Sequence, residues 1–242
     1  MLIDFDGTLV EPNVAIILVE EFCDGGKELA HEVDELLHTG KITLREAWTR
    51  QVALLDGRRL DEMARWAVRN TPLRPGAKDL VALLGRHQIP TTIVSGGLDF
   101  YIGPILDAAG IDLPVLSDRV VSNAAGVLDL QHPFGHATCR LCGICKAQVA
   151  RPMPRPPMRT AFAGDGSTDR YAAEVSDIVF ARRRLKLYCE RSGVPHFPFG
   201  EDFSPVIATL EGWLDRGEPI PPARRGGVAD SACPISQACL AT

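Results

Sequence analysis

The chain carries Met1-Leu2-Ile3-Asp4-Phe5-Asp6-Gly7-Thr8-Leu9, an apolar run that passes into two acids and a glycine. This pattern predicts a β-strand that ends in a turn. Side chains along a strand alternate with a period of two, so the carboxylates of Asp4 and Asp6 should lie on one face. Gly7 permits a sharp turn, and the Thr8 hydroxyl is expected to orient the first carboxylate. The stretch therefore predicts a nucleophile beside a proton donor, where a phosphoryl group could be attacked.

An isolated Asp-x-Asp pair also fits a cation site in a loop or a chance occurrence. A second apolar strand is predicted near residues 91–95, and it ends in Ser95, Gly96 and Gly97. The serine hydroxyl and the amides that follow it are expected to bind phosphate, because exposed N–H groups at a turn entering a helix attract anions. This second element favours phosphate chemistry over the two simpler explanations.

Two further segments supply the remaining charges. Lys146 lies in a helix predicted over residues 143–149, where its ammonium could neutralise phosphate and the attacking carboxylate, although an isolated lysine is usually a solvated surface charge. A third apolar segment, residues 160–164, precedes Asp165 and Asp169. These two acids suit a hard cation such as Mg²⁺, which prefers carboxylate oxygens together with substrate phosphate and water.

Taken together, these segments resemble the four sequence motifs of the haloacid dehalogenase superfamily of phosphatases, over residues 1–216. Asp4 and Asp6 match the first motif, Ser95 the second, Lys146 the third, and Asp165 with Asp169 the fourth. Two longer stretches, residues 93–100 and 142–146, resemble the methionine-salvage phosphatases of subfamily IB, the branch that also contains phosphoserine phosphatase. An acid two residues after the nucleophile sets the chain apart from the dehalogenase branch.

The resemblance implies a mechanism for a small phosphorylated metabolite. Asp4 would attack phosphorus, while Asp6 would protonate the leaving oxygen and then activate water on the aspartyl-phosphate. Asp4, the backbone carbonyl of Asp6 and Asp165 would hold Mg²⁺. Asp169 would hold Lys146 or a water bound to the metal. A phosphotransferase or mutase that uses the same intermediate remains an alternative, as does a non-catalytic zinc-binding scaffold.

The order of predicted elements indicates the fold class. Strands near residues 91–95, 160–164 and 177–181 alternate with helices, which is typical of a doubly wound, mostly parallel, Rossmann-like α/β sheet. All four motifs then fall at or beside the carboxyl ends of strands, where such sheets bind ligands. Two short strands are expected at residues 119–121 and 126–130, with an irregular loop as the alternative.

The segment between the first two motifs is predicted to be helical, and a further amphipathic helix is expected at residues 77–86. The predicted helices cover residues 14–23, 27–37, 44–55 and 61–68, and Thr43 begins a capping-box pattern with Glu46. We expect this insertion after the first strand, residues 13–72, to form a helical cap of the kind that closes over the active site in the family. Residues 1–12 and 73–216 would form the catalytic core. The tail, residues 217–242, is expected to be disordered, and residues 151–157 to form a stiff connection.

Residues of the cap and of the loop after the first motif are candidates for substrate recognition, namely Glu11, Asn13, Arg45 and Arg50. In the phosphoserine phosphatases that the chain resembles, a glutamate stands nine residues after the nucleophile. Here that position is Asn13, which removes a natural partner for a substrate ammonium group. Glu11 could replace it, so phosphoserine is disfavoured and not excluded.

Composition limits the partners. The chain has 242 residues, 45% of them hydrophobic, and a net charge of -5, which offers nucleic acid no broad basic face. Residues 182–184 form a local arginine cluster that we expect to be a solvated loop. No apolar run reaches membrane-spanning length and no signal peptide is recognisable, so a cytoplasmic location is expected. Only three residues precede Asp4, so either the first strand is short or the natural start lies upstream. No pattern indicates the oligomeric state.

Seven cysteines are present, and three of them, Cys139, Cys142 and Cys145, have C-x₂-C-x₂-C spacing. With His132 and His136 close upstream, a structural Zn²⁺ site of three thiolates and one imidazole is chemically possible. The alternatives are free thiols or a wall of the substrate site near Lys146. A single overlapping run does not decide between these hypotheses.

Overall fold

The computed structural model of the chain describes residues 1–151 and 159–222. The strands are β1 Leu2–Ile3, β2 Thr92–Leu98, β3 Val115–Ser122, β4 Leu128–Gln131, β5 Ala161–Gly164, β6 Ile178–Ala181 and β7 Phe197–Pro198. They form a mostly parallel seven-stranded sheet in the order β4-β3-β2-β1-β5-β6-β7. The predicted α/β fold class is confirmed.

Helices fill most of the remaining described chain. They are α1 Val14–Phe22, α2 Gly26–His38, α3 Leu44–Leu54, α4 Leu60–Asn70, α5 Ala77–Arg86, α6 Asp99–Ala109, α7 Lys146–Ala150, α8 Arg170–Val175, α9 Arg183–Ser192 and α10 Ser204–Leu214. Helices α1 to α5 lie where the sequence predicted them, within two residues at each end. No helix among the described residues is long and apolar enough to cross a bilayer.

Contacts divide the chain into two units. One comprises Met1–Val10, Leu73–Val94 and Lys146–Thr242, and the other comprises Glu11–Pro72 and Ser95–Cys145. The second unit therefore groups residues 95–145 with the helical insertion, which the sequence did not predict. The division into a catalytic core and a cap remains a prediction, because contacts alone do not show which part closes over a substrate.

The first unit is built around β1, a strand of two residues at the centre of the sheet order. Leu2 pairs with Thr92 of β2 on one side and with Phe162 of β5 on the other, both in parallel register. Strand β6 pairs in parallel with β5 and with β7. Apolar side chains of β5, β6, α8 and α9, including Phe162, Val179 and Leu185, pack into a buried cluster. Parallel pairing places the carboxyl ends of β1 and β5 at the same edge of the sheet.

In the second unit, helices α1 to α4 are accompanied by α6 and by the antiparallel hairpin of β3 and β4. The hairpin pairs Arg119 with Gln131. It is held to the segment after α3, because Leu128 N–H donates to Asp56 Oδ1 at 2.8 Å and Gly57 N–H donates to the Gly126 carbonyl at 2.9 Å.

Several sequence predictions were wrong in detail. Residues 182–184 are not a solvated loop, since α9 begins at Arg183 and Arg182 is buried. The helix of the third motif begins at Lys146 and not at Gly143. Gly143 packs so closely against Asp118 that a Cβ atom there would lie 1.7 Å from Oδ2. Of the predicted stiff connection and disordered tail, only residue 151 and residues 217–222 are among the described residues.

Thr43 and Glu46 form the predicted capping box at the start of α3. Glu46 N–H donates to Thr43 Oγ1 at 3.2 Å, and Thr43 N–H donates to Glu46 Oε2 at 2.7 Å. We expect Thr43→Ala to lower the free energy of unfolding by about 0.5–2 kcal/mol, because it leaves the Glu46 N–H without its acceptor. Urea denaturation followed by circular dichroism measures the change. Thr49→Ala, inside the same helix, is the matched control, and an equal loss in both variants would contradict the capping role.

Candidate active site

Asp4 lies at the carboxyl end of β1, where the sheet places it beside the end of β5. Its backbone N–H continues the sheet pairing by donating to the Ala163 carbonyl at 2.9 Å. Asp165 directly follows Gly164, the last residue of β5. Two carboxylates that are far apart in the sequence are therefore brought to one edge of the sheet by strand pairing, as the sequence predicted.

A buried lysine links two of the predicted acids. Nζ of Lys146 lies 2.6 Å from Oδ1 of Asp4 and 2.6 Å from Oδ1 of Asp169. The second oxygen of Asp169 accepts the backbone N–H groups of Asp165 at 3.0 Å and Gly166 at 2.9 Å. Lys146 is only 6% exposed and Asp169 is fully buried. Both oxygens of Asp169 are thus used to hold Lys146 and the turn after β5.

Three carboxylates surround this lysine. Carboxylate oxygens of Asp4, Asp165 and Asp169 all lie within 4.8 Å of one another, and they form the one group suited to a metal ion among the described residues. The donors are hard oxygens, which suit Mg²⁺. One ammonium against three carboxylates leaves the group with excess negative charge. The residues therefore fit a divalent cation, and the predicted Mg²⁺ site has suitable ligands here.

Burial and crowding change the acidity of these groups. Burial raises the pKa of Asp4 well above its usual value, and the nearby Asp169 carboxylate raises it further, while Lys146 opposes both. Burial, together with the Asp169 charge, raises the pKa of Asp165 to about 6. Burial acts to lower the pKa of Lys146, but the carboxylates of Asp169 and Asp4 outweigh it and raise that pKa, so Lys146 is an ammonium.

The turn after Asp4 depends on glycine. Gly7 has φ +75°, and a Cβ atom there would lie 2.4 Å from Oδ2 of Asp165. The Thr8 hydroxyl donates to Oδ1 of Asp165 at 3.2 Å, whereas the sequence predicted that it would orient Asp4. The prediction was wrong because the turn directs Thr8 toward the end of β5. Asp6 is half-buried in the turn, and its carboxylate is not part of the group that fits a metal.

Two arginines that sequence reasoning missed support this turn. Arg74 Nη2 donates to the Gly7 carbonyl at 2.8 Å, and Arg182 Nη1 donates to the same oxygen at 2.7 Å. Both side chains are almost completely buried. A signal for Arg182 was available, since it directly follows β6 at the carboxyl edge of the sheet. Nothing in the local sequence distinguished Arg74.

Ser95, Gly96 and Gly97 belong to the second unit. They do not form the predicted turn with exposed amides, because β2 continues through both glycines to Leu98. Ser95 is buried and its Oγ accepts the Gly97 N–H at 2.9 Å. Their phosphate-binding role remains a prediction.

The candidates for substrate recognition also lie in the second unit. Asn13 is the N-cap of α1, where its side chain accepts the Ile16 N–H at 3.2 Å. Arg45 donates from Nε and Nη2 to the Cys142 carbonyl, at 3.2 and 3.1 Å. Glu11 is half-buried and Arg50 is exposed. These contacts give Asn13 and Arg45 structural roles, while recognition by any of the four remains a prediction.

The structure does not support a zinc site at the cysteine cluster. Among the described residues, Cys139, Cys142 and Cys145 form no disulfide bond, and none of them belongs to a metal-suited group. The two upstream histidines face other partners. His132 Nδ1 lies 3.0 Å from Oδ1 of Asp118, and His136 Nδ1 accepts the Cys139 N–H at 3.1 Å. The spacing was therefore misleading, because the loop directs these histidines toward a carboxylate and toward its own backbone.

Known phosphatases are similar in sequence to the chain over most of its length. A protein from Geobacillus kaustophilus (strain HTA426), named 2-hydroxy-3-keto-5-methylthiopentenyl-1-phosphate phosphatase, is 31% identical over 211 residues, or 85% of this chain and 92% of the relative. A protein of the same name from Bacillus velezensis is 29% identical over 228 residues, or 89% of this chain and 94% of the relative. The chain spans nearly the full length of both relatives.

Solved structures show the same fold. A phosphoserine phosphatase carrying a phospho-aspartyl intermediate analogue superposes with a TM-score of 0.67 at 18% identity, over 86% of this chain and 96% of that structure. At this identity the likeness shows the fold alone.

The family match covers more than half of the sequence. Residues 1–174 match the sequence model of the haloacid dehalogenase-like hydrolase family, and the matched segment includes Asp4, Lys146, Asp165 and Asp169. The predicted enzyme class, a phosphoric monoester hydrolase, is confirmed. From its sequence match, its relatives and its fold, the chain belongs to the haloacid dehalogenase-like hydrolase family.

Proposed function

We propose that the chain hydrolyses the phosphomonoester of a small metabolite through an aspartyl-phosphate on Asp4, with Mg²⁺ as cofactor. The observation that carries this proposal is the buried ion-pair group, in which Lys146 bridges Asp4 and Asp169 beside Asp165. A nucleophilic carboxylate, a fixed cation and a set of hard oxygen ligands therefore meet at one strand edge. This is what transfer of a phosphoryl group to a carboxylate requires.

Lys146 prepares Asp4 for attack. It donates to Oδ1 of Asp4, which leaves Oδ2 as the oxygen that we assign to the new bond with phosphorus. The ammonium holds the carboxylate in one orientation and stabilises its ionised form against the effect of burial. It also supplies positive charge beside the incoming phosphate, so a dianionic ester meets less repulsion.

The metal ligands in this proposal are the carboxylates of Asp4 and Asp165 and the backbone carbonyl of Asp6. When bound there, Mg²⁺ would supply the positive charge that offsets repulsion between an anionic nucleophile and an anionic ester. Asp169 has a different role, because both of its oxygens are engaged by Lys146 and by two backbone amides. This geometry favours the alternative in which Asp169 positions Lys146.

We assign proton transfer to Asp6. In the first step its carboxyl proton moves to the leaving oxygen, and in the second its carboxylate removes a proton from the water that attacks the aspartyl-phosphate. Asp6 lies two residues after Asp4 and directly before Gly7, whose positive φ forms the turn. A general acid of this kind contributes typically about 10²–10⁴-fold to the rate.

The relatives suggest the substrate class. Their name gives 2-hydroxy-3-keto-5-methylthiopentenyl-1-phosphate as their substrate. Identity of 29–31% supports a small phosphorylated metabolite and not one particular compound. Phosphoserine is disfavoured, since the Asn13 side chain caps α1 and carries no charge for an ammonium group.

Phosphate release should depend on Mg²⁺ and on the proposed nucleophile, Asp4. Purified protein stripped of metal should release inorganic phosphate from a panel of small phosphomonoesters only after Mg²⁺ is added. Asp4→Asn should lower kcat by at least about 1,000-fold, because an amide oxygen cannot form the phosphoenzyme, and catalytic groups that act as a unit show losses of this size. Asp79→Asn, an exposed acid on α5, is the matched control and should keep full activity.

Two outcomes would contradict the proposal. Phosphate release that persists in Asp4→Asn would exclude an aspartyl-phosphate on this residue. If the parent consumes ester without releasing phosphate until an alcohol acceptor is added, the phosphotransferase alternative replaces hydrolysis.

Removal of the Lys146 ammonium should destabilise the folded state. Lys146→Met should lower the free energy of unfolding by about 3–5 kcal/mol at neutral pH, because it leaves two buried carboxylates without their cation. Urea denaturation measures this loss. Lys186→Met, a partly exposed lysine on α9, should change the same quantity by less than about 1 kcal/mol. Similar losses in the two variants would show that Lys146 does not neutralise the buried carboxylates.

A further inference from the structure

Two buried guanidinium groups meet at a single carbonyl oxygen in the turn after Asp4. Arg74 donates from Nη2 to the Gly7 carbonyl at 2.8 Å and from Nε to the Thr8 carbonyl at 2.6 Å. Arg182 donates from Nη1 to the same Gly7 carbonyl at 2.7 Å. The two residues are 1% and 2% exposed. We call this arrangement of Arg74, Arg182 and the two carbonyls the arginine clamp.

Each arginine is fixed by a different part of the first unit. Arg74 follows the bridge between Val10 and Leu73, its own N–H donates to the Leu9 carbonyl at 2.9 Å, and its Nη1 donates to the Glu201 carbonyl at 3.2 Å. Arg182 directly follows β6, and its N–H donates to the Gly164 carbonyl at 3.1 Å. The clamp therefore ties the turn both to β5 and to the segment that follows the bridge between Val10 and Leu73.

The use of two cations for this purpose has a physical cost. Burying a guanidinium is unfavourable unless charged partners and hydrogen bonds compensate for the lost hydration. Arg182 Nη2 lies 3.5 Å from a carboxylate oxygen of Glu201, whose side chain is 86% exposed, so water screens this pair. A neutral donor would satisfy a backbone carbonyl at lower cost.

The planar guanidinium group of arginine explains how the clamp fixes the turn. Its N–H groups lie in one plane at fixed angles, so Arg74 can fix the carbonyls of residues 7 and 8 relative to each other, whereas a lysine acts as a point charge. The Gly7 carbonyl belongs to one peptide unit, and the Asp6 carbonyl belongs to the peptide unit directly before it. Fixing the Gly7 carbonyl restricts the backbone that carries the Asp6 side chain.

We propose that Arg74 and Arg182 are positioning residues that hold the Asp6 carboxyl in place for proton transfer to the leaving group. The proposal rests on the proposed function. In the step concerned, an Asp4 oxygen forms a bond to phosphorus, the ester P–O bond breaks, and the Asp6 proton moves to the departing oxygen. If the turn is loosened, this proton transfer suffers first, because it depends on the position of a single side chain.

The test compares two esters of nearly equal size. Phenyl phosphate has a leaving group that needs a proton, whereas p-nitrophenyl phosphate has one that departs readily as the anion. We expect Arg74→Lys and Arg182→Lys to lower kcat/KM for phenyl phosphate by about 10–100-fold, the range expected for a displaced general acid. The loss for p-nitrophenyl phosphate should be much smaller. Asp6→Asn provides the benchmark for complete loss of the acid.

Three controls make the result specific. Arg184→Lys, an exposed position on α9, should leave both esters unaffected. Thermal unfolding of each variant checks that it is folded, and lysine is chosen because it retains the buried charge. The double variant should lose less than the product of the two single losses, since both arginines donate to the same oxygen.

The outcomes distinguish a failure of the positioning role from a failure of the proposed function. Equal losses for both esters in folded variants would overturn the positioning role and leave an ordinary structural one. Unchanged kinetics in both lysine variants would also overturn it. If the parent hydrolyses neither ester nor any other phosphomonoester in the presence of Mg²⁺, the proposed function fails, and the inference fails with it.

Discussion

The ammonium of Lys146 lies 2.6 Å from an oxygen of Asp4 and 2.6 Å from an oxygen of Asp169, in a region almost closed to water. Without this cation, carboxylates within 4.8 Å of one another could not all be ionised at low cost. Asp169 is in turn held by backbone amides of the turn after β5, and these bonds keep its other oxygen beside Lys146. The geometry of the first unit around the sheet edge therefore follows from the need to keep this charge group together.

Backbone geometry and electrostatics act together at this edge. Gly7 can adopt φ +75° and approach Asp165 closely because it has no Cβ atom. The resulting turn exposes its carbonyls to the interior, where Arg74 and Arg182 bind them. A carboxylate and two arginine side chains thus all approach one short turn. Such preorganised charge can stabilise phosphoryl transfer without reorganisation during the reaction.

Local patterns explain which predictions were confirmed. Helices α1 to α5 and the capping box at Thr43 follow from amphipathic spacing and from hydrogen bonds within four residues, so the sequence alone reveals them. Predictions that depended on distant contacts were less accurate. Thr8 was assigned to Asp4 but donates to Asp165, and Arg182 was assigned to solvent but is buried. The zinc hypothesis rested on spacing alone, and the directions in which His132 and His136 point removed its support.

The sequence by itself determined the order of strands and helices, the acids at the strand ends and the glycine in the first turn, because these depend on periodicity and on the conformational limits of single residues. It also determined the chemical class, since a pair of acids two residues apart, followed by a lysine and two further acids in that order, points to phosphoryl transfer. Only the tertiary structure decided that Lys146 lies between Asp4 and Asp169, since Asp4 and Lys146 are 142 residues apart in the sequence. The same holds for the arginine clamp, because parallel pairing and burial bring its members together and no local rule encodes those contacts.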